Sequence, residues 1–172
     1  MLQLRCTGKV IKGLSLKSDD LSEVKKNDTI LGNWYVNIFT IDRRKTFLFV
    51  NERTLLSFIV FGIKKSNINK IHSTFIHGIA QLLSIEEIEK NLIESVLDDY
   101  IEMEFTKTDS RKILGNMNDL MYLYKHFIYN AGGLKQCEVG EIILRINRTP
   151  QRNIDWAYSI EAVKEILKLK RA

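Results

Sequence analysis

The sequence predicts an α+β fold, with a mainly antiparallel sheet of about six strands and helices packed on one face. Three observations point to it. Three runs rich in β-branched and aromatic residues lie between residues 33 and 63, separated only by the polar breaks "DRR" and "NERT". Two other segments, "LQLRCT" and "YIEMEFTK", alternate apolar with polar residues. The stretches with helical spacing do not alternate strictly with these runs, as a doubly wound parallel sheet would require.

Along the chain, "LQLRCT" puts Leu2, Leu4 and Cys6 on one side of a short strand, and "GKVIKGL" follows as a helical turn or short helix. "KSDDLSEVKKND" is polar and is expected at the surface. The runs ending at Ile41, Val50 and Ile63 form an antiparallel meander, because short links favour neighbouring antiparallel strands. Ile68, Ile71, Phe75, Ile79 and Leu82 recur near helical spacing. A second helix is expected from Ser84, with Glu87 three residues later completing a capping box. In "YIEMEFTK", Ile101, Met103 and Phe105 face inward, while Glu102, Glu104 and Thr106 face solvent.

A long helix follows, capped by Asp109 or Ser110 and ended by Gly132 and Gly133. "EVGEIILRI" is expected as a strand, with Pro150, the only proline, in the turn beyond it. A closing helix is capped by Ser159, with Ile160, Val163, Ile166 and Leu167 inward. One domain over 1–172 is the expected organisation.

Composition excludes several classes. Hydrophobic residues at 45% and charged residues at 27% are those of an ordinary globule, so no long disordered stretch is expected. Cys6 and Cys137 stand far apart with no CxxC, and the first residues hold no sustained apolar run. A cytoplasmic protein without disulfides or a signal peptide is therefore expected. The strongest apolar run, Leu55 to Ile63, is too short to span a bilayer, so no membrane partner is expected. Phosphate-loop, dinucleotide-binding, zinc-protease and nucleophile-elbow motifs are all absent, and His72 and His77 are five apart, off a common helix face. No cofactor and no metal ligand set is predicted.

Charge is unevenly spread. From Glu86 to Glu104 eight acidic residues stand against one base, Lys90, so the segment carries −7 and the rest of the chain +12 within a net +5. A basic body suits an anionic partner, and the acidic segment 86–104 suits a protein partner.

The candidate chemistry centres on the long helix. At 100° per residue, Ile113, Met117, Leu120, Met121 and Tyr124 fill one arc. Arg111, Gly115, Asn118 and Tyr122 form a separate line at i, i+4, i+7 and i+11. Glycine inside a helix costs about 1 kcal/mol relative to alanine. Gly115 therefore implies close approach, either of a neighbouring strand or of a ligand. Arg111 in the first turn, near free N–H groups and the positive end of the helix dipole, would suit an anion. Other polar clusters fall at expected strand ends: Arg5 and Thr7 in "RCT", Asn51 and Glu52 in "NERT", and Asn147, Arg148 and Thr149 in "NRTP". Arginine forks fit phosphate or carboxylate, and asparagine and threonine add directed hydrogen bonds. The same residue types also serve turns, and both readings stand. "DRRK", a basic hairpin tip with Trp34 and Tyr35 close in sequence, is a candidate nucleic-acid contact or a solvated loop.

The stretches "LRCT", "WYVNIFTI", "NERT", "TDSRKILGNMND", "NRTP" and "YSIEAVKEIL" together resemble an uncharacterised bacterial domain family of unknown function. The resemblance covers nearly the whole chain. Its most specific part is carried by Ser110, Arg111, Gly115, Met117, Asn118 and Asp119. Asn116 departs from the small residue that the family favours before Met117. The resemblance implies no activity, but it implies that the polar motifs belong together.

Three functions are consistent with these residues. The first is a binding domain for a phosphate-bearing ligand, a nucleotide or nucleic acid, held by Arg5, Thr7, Asn51, Arg111, Gly115, Asn118, Asn147, Arg148 and Thr149. The second is an enzyme acting on a phosphate or glycosidic linkage, with Asp119 or Glu52 as general base. The third is an antitoxin, immunity or anti-defence protein that docks a partner on segment 86–104.

Overall fold

The computed structural model describes residues 1–171. Its strands are β1 (Leu2–Cys6), β2 (Leu21–Ser22), β3 (Trp34–Ile41), β4 (Arg44–Asn51), β5 (Ser57–Phe61) and β6 (Met103–Lys107). The helices are α1 (Gly8–Leu14), α2 (Ile71–Ile85), α3 (Lys90–Asp98), α4 (Arg111–Asn130), α5 (Val139–Asn147) and α6 (Ser159–Arg171).

All six strands form one sheet in the order β2-β6-β1-β3-β4-β5. The meander expected for β3, β4 and β5 is present and antiparallel. The other half is parallel: β1 pairs with both β3 and β6, and β2 with β6. The chain is thus α+β, but its sheet is mixed rather than mainly antiparallel. The cause lies in the connections. A helix between β1 and β3, and two between β5 and β6, give the chain enough length to return and run parallel.

Helices also cover both faces of the sheet, not one. On one face Leu2, Leu4, Trp34, Phe49 and Phe58 pack under α1, α2, α3 and α6. On the other, Tyr35, Leu48, Val50 and Ile59 pack under α4 and α5. The first face holds an aromatic cluster, with Phe49 stacked on Phe58 at 5.1 Å and Trp34 edge-on to Phe75 at 5.2 Å.

Several local expectations change. Residues 139–147 are a helix, not a strand. Val139, Ile142, Ile143 and Ile146 stand at i, i+3, i+4 and i+7, and Ile142 and Ile146 are buried on one face. Pro150 therefore follows a helix end. The sixth strand is instead the short β2, within the stretch expected to be only polar surface. The capping box at Ser84 does not form. α2 runs on to Ile85 because Leu82 and Leu83 are buried, the chain turns at Glu87 with φ +59°, and α3 starts after Glu89. Ser159 does not cap α6: it is the helix's first residue, and its buried hydroxyl has no partner. Ile101 falls before β6 and is exposed, while Thr106 on β6 is fully buried. Glu104 is turned inward, where it accepts a 2.8 Å hydrogen bond from Gln3 Nε2. At the hairpin tip, Asp42 Oδ2 accepts from Leu134 N at 2.7 Å and Arg44 lies over Phe61, while Trp34 and Tyr35 are buried at the far end of β3.

α4 begins and ends as its sequence predicts. Ser110 Oγ accepts from Ile113 N at 3.3 Å, and Gly133 N closes back on Ile128 O at 2.9 Å with both terminal glycines at positive φ. Among the described residues, no helix is long and apolar enough to cross a membrane.

Candidate functional site

Arg5 and Tyr35 are register partners on the parallel strands β1 and β3, so their side chains leave the same face of the sheet. β6 ends at Lys107, and the link to α4 carries Asp109 across that face. The turn after β4 brings in Glu52 and Arg53. Asn51 shapes that turn, accepting on Oδ1 from the N–H groups of Arg53 (3.1 Å) and Thr54 (3.0 Å). Lys112, Ile113 and Asn116 from the first turns of α4, with Asn153 and Ile154 from the turn before α6, close a cleft of about 400 Å³.

At its floor Arg5, 6% exposed, donates through Nη1 to Asp109 Oδ1 and to Tyr35 Oη (3.4 Å), and through Nη2 to Lys25 O (3.0 Å). Its Nη2 also lies 3.6 Å from Glu52 Oε2. The Tyr35 hydroxyl donates to the same Asp109 oxygen. Burial by itself would raise the Asp109 carboxyl, but hydrogen bonds from Tyr35 and Arg5, with the Arg5 charge, hold it below the ordinary carboxylate range. Burial and the bond to Asp109 push the Tyr35 phenol up to about 12, against the pull of Arg5.

This phenol has a consequence for stability. A raised folded value means that the unfolded chain loses its proton first, so the contribution is full below pH 10 and gone once pH passes about 12. Tyr35→Phe is expected to flatten the alkaline fall in stability between those limits, measured by urea denaturation at stepped pH. Tyr100 and Tyr124, also raised by burial, act in the same direction in both proteins and cancel in the comparison. Equal slopes for the two proteins would remove Tyr35 from this role.

Two residues that line the cleft each carry a donor with no acceptor. Arg5 Nε and Asn116 Nδ2 are buried and unpartnered, while Asn116 Oδ1 accepts from Asn153 Nδ2. A buried donor left unsatisfied costs about 1–3 kcal/mol. The lining carries three cations (Arg5, Arg53, Lys112) and two carboxylates (Glu52, Asp109).

A family model described as a domain of unknown function, DUF6933, matches residues 3–162. The chain belongs to this family. No curated protein matches it. The expected membership of an uncharacterised domain family is thus shown, and the DUF6933 match spans every element that builds the cleft.

Of the residues singled out in this DUF6933 sequence, Arg5 and Glu52 meet in the cleft, and the rest do not join them. Asn51 is fully buried, and its amide is spent on the turn and on Leu31 O and Asn33 O. Thr7 Oγ1 donates to Asn37 Oδ1 at 2.8 Å. Asn147, also buried, ties α5 to Ser57. Thr149 Oγ1 donates to Arg145 O, and Arg148 pairs with the buried Glu86 at 2.7 Å. Arg111, Gly115, Asn118 and Asp119 lie on the exposed edge of α4. A Cβ at Gly115 would meet nothing within 4 Å, so close packing does not explain that glycine.

Tyr35, Asp109, Lys112, Asn116 and Asn153 are site residues that the sequence reading missed. One signal was present for Asn116. It stands between Ile113 and Leu120 at i+3 and i+7, on the line that faces the core. Among the described residues, no group of three or more His, Cys, Asp or Glu side chains is placed to hold a metal ion.

Proposed function

We propose that the cleft over Arg5 binds a small phosphate-bearing ligand of mononucleotide size, and that the chain is a binding domain rather than an enzyme. The observation that carries this reading is that two residues lining one cleft, Arg5 and Asn116, each hold a buried, unpartnered donor, Nε and Nδ2. Phosphate oxygens would satisfy both once the side chains covering them shift, and Lys112, Arg53 and the N-terminus of α4 add positive potential around the cleft. A volume of about 400 Å³ is that of a small-molecule site and admits a nucleotide or a strand end, not a duplex.

Geometry favours binding over catalysis. Asp119 is on the exposed edge of α4, outside the cleft. Glu52 is inside it, but Oε1 accepts from Asn33 N at 2.9 Å and Oε2 faces Arg5. Docking through the acidic segment is less supported, because Glu86, Glu94, Asp99 and Glu104 already have partners within the chain. Two free cysteines, with the Cys6 thiol pushed up to about 12 by burial, fit a reducing, cytoplasmic setting.

Calorimetric titration with AMP, ATP and a short oligothymidylate tests the reading. At least one is expected to bind saturably at low salt and to weaken as salt rises. Asn116→Asp, which sets a carboxylate against the phosphate, is expected to weaken binding at least tenfold, and Asn118→Ala on the outer edge to leave it unchanged. Saturable binding by none of the three probes would refute the proposal.

A further inference from the structure

β5 ends the sheet, and only one of its edges is paired. The hydrogen bond from Asn51 N to Leu56 O sets the alternation along the β4–β5 ladder. Phe58 and Val60 therefore exchange backbone bonds with Phe49 and Phe47, while Ser57, Ile59 and Phe61 turn their N–H and C=O groups to the free edge. At Ser57 both groups are taken, since N–H donates to Asn147 Oδ1 at 2.9 Å and C=O accepts from Asn147 Nδ2 at 2.7 Å. One carboxamide does there what a residue of a neighbouring strand would do. At Ile59 and Phe61 no such partner is found among the described residues.

That edge opens into an apolar groove of about 690 Å³ between α2 and α5. The groove meets Phe58, Ile59, Val60 and Phe61 in succession. Successive strand residues point to opposite faces, so a groove that touches four in a row runs along the strand's edge. α2 forms one wall and approaches closely at Gly78, where a Cβ would lie 2.5 Å from the Phe58 ring. The α5 wall is bare at Gly140, where a Cβ would meet nothing within 4 Å. The ionisable residues lining the groove are Arg44, whose guanidinium lies 4.7 Å over the Phe61 ring, and His77, with no acidic residue.

We propose that this groove binds an extended peptide segment of a partner protein, which adds to β5 as a further strand, seats apolar side chains between α2 and α5, and carries a carboxylate toward Arg44. The row of unpaired backbone groups at Ile59 and Phe61 selects this occupant. A fatty acyl chain would fill the apolar volume and meet Arg44, but would leave those donors and acceptors unpaired. A second copy of the chain offers a β5 edge flanked by its own α2 and α5, which keeps two such edges apart. The segment is therefore one free of flanking helices, such as a terminus or a loop. The groove shares no residue with the cleft over Arg5, so the two sites stand or fall separately.

The test uses two fluorescently labelled hexapeptides of alternating valine and threonine, one with glutamate at its amino end and one at its carboxyl end. Anisotropy is expected to show saturable binding of at least one. Amide exchange at Ile59 and Phe61 is expected to slow at least tenfold on binding, with Phe58 and Val60, already bonded to β4, unchanged. N-methylation of alternate peptide amides is expected to abolish binding. Gly140→Leu, which fills the groove from an exposed helix position, is expected to weaken binding at least tenfold with the circular dichroism spectrum unchanged. The proposal is overturned if neither peptide binds saturably or if the N-methylated form binds equally. Oleate competing without protection at Ile59 and Phe61 would also overturn it, as would protection of these amides by self-association of the free protein.

Discussion

Arg5→Met is expected to lower the stability of the folded chain by about 3 kcal/mol and to abolish binding in the cleft. Methionine keeps much of the apolar stem but removes every donor. Asp109, Glu52 and Lys25 O then lose a partner that is itself only 6% exposed. The figure sits at the low end of the range for breaking a buried pair because the Asp109 side chain is 41% exposed and is rehydrated once Arg5 is gone. Arg5→Lys is expected to recover part of the stability and little of the binding. A lysine replaces the charge beside Asp109, but it has no planar fork to reach Tyr35, Lys25 O and Glu52 at once. Adding Asp109→Asn to Arg5→Met is expected to restore some of the loss by neutralising the stranded carboxylate. Urea denaturation followed by tryptophan fluorescence measures all three, and a loss below about 1 kcal/mol for Arg5→Met would show that the cluster adds little net stability.

Asn51→Ala is expected to cost about 4 kcal/mol, through contacts that touch no ligand. The amide accepts from Arg53 N, Thr54 N and Thr54 Oγ1 and donates to Leu31 O and Asn33 O, all within 3.4 Å. Alanine leaves Thr54 N and Leu31 O without a partner and Asn33 O with only its bond from Glu52 N, in a turn whose Leu55 is held at φ +57°. Asn51→Asp separates the two halves of the role. It keeps the three acceptor bonds but sets a carboxylate against two carbonyls, so it is expected to destabilise as well. Because the turn presents Glu52 and Arg53, both variants are also expected to weaken ligand binding in the cleft. Asn118→Ala, on the exposed edge of α4, is the control and is expected within about 0.5 kcal/mol of the parent. Parent-like stability in Asn51→Ala would show that the turn holds its shape without the amide.

Much of the fold is legible because its signals are local. The β3–β4–β5 meander follows from short polar links, and α4 from Ser110 at one end and Gly132–Gly133 at the other. Parallel pairing of β1 with β3 and β6 is not legible, since alternation along a short strand records which side is buried but not which neighbour lies beside it or in what direction. Residues 139–147 mislead for another reason. Their β-branched content favours a strand, while the helical spacing of Val139, Ile142, Ile143 and Ile146 matches the surfaces that α5 covers, and burial outweighs intrinsic preference.

The site divides the same way. Arg5 and Glu52 are visible as polar residues at the ends of apolar runs, and Asn51 and Asn147 are visible as polar residues with work to do. By itself the sequence determined the antiparallel β3–β4–β5 meander, both ends of α4 and the apolar face of α4. Only the tertiary structure decided that Asn51 and Asn147 spend their amides on backbone. It also decided that Gly115 and Asn118 face outward, and that Arg5, Tyr35, Asp109 and Asn116 meet over one face of the sheet. The physical reason is that burial is written in a periodicity of three or four residues. A meeting of groups from β1, β3, a turn and a helix depends on strand order, which is set by packing the whole chain at once.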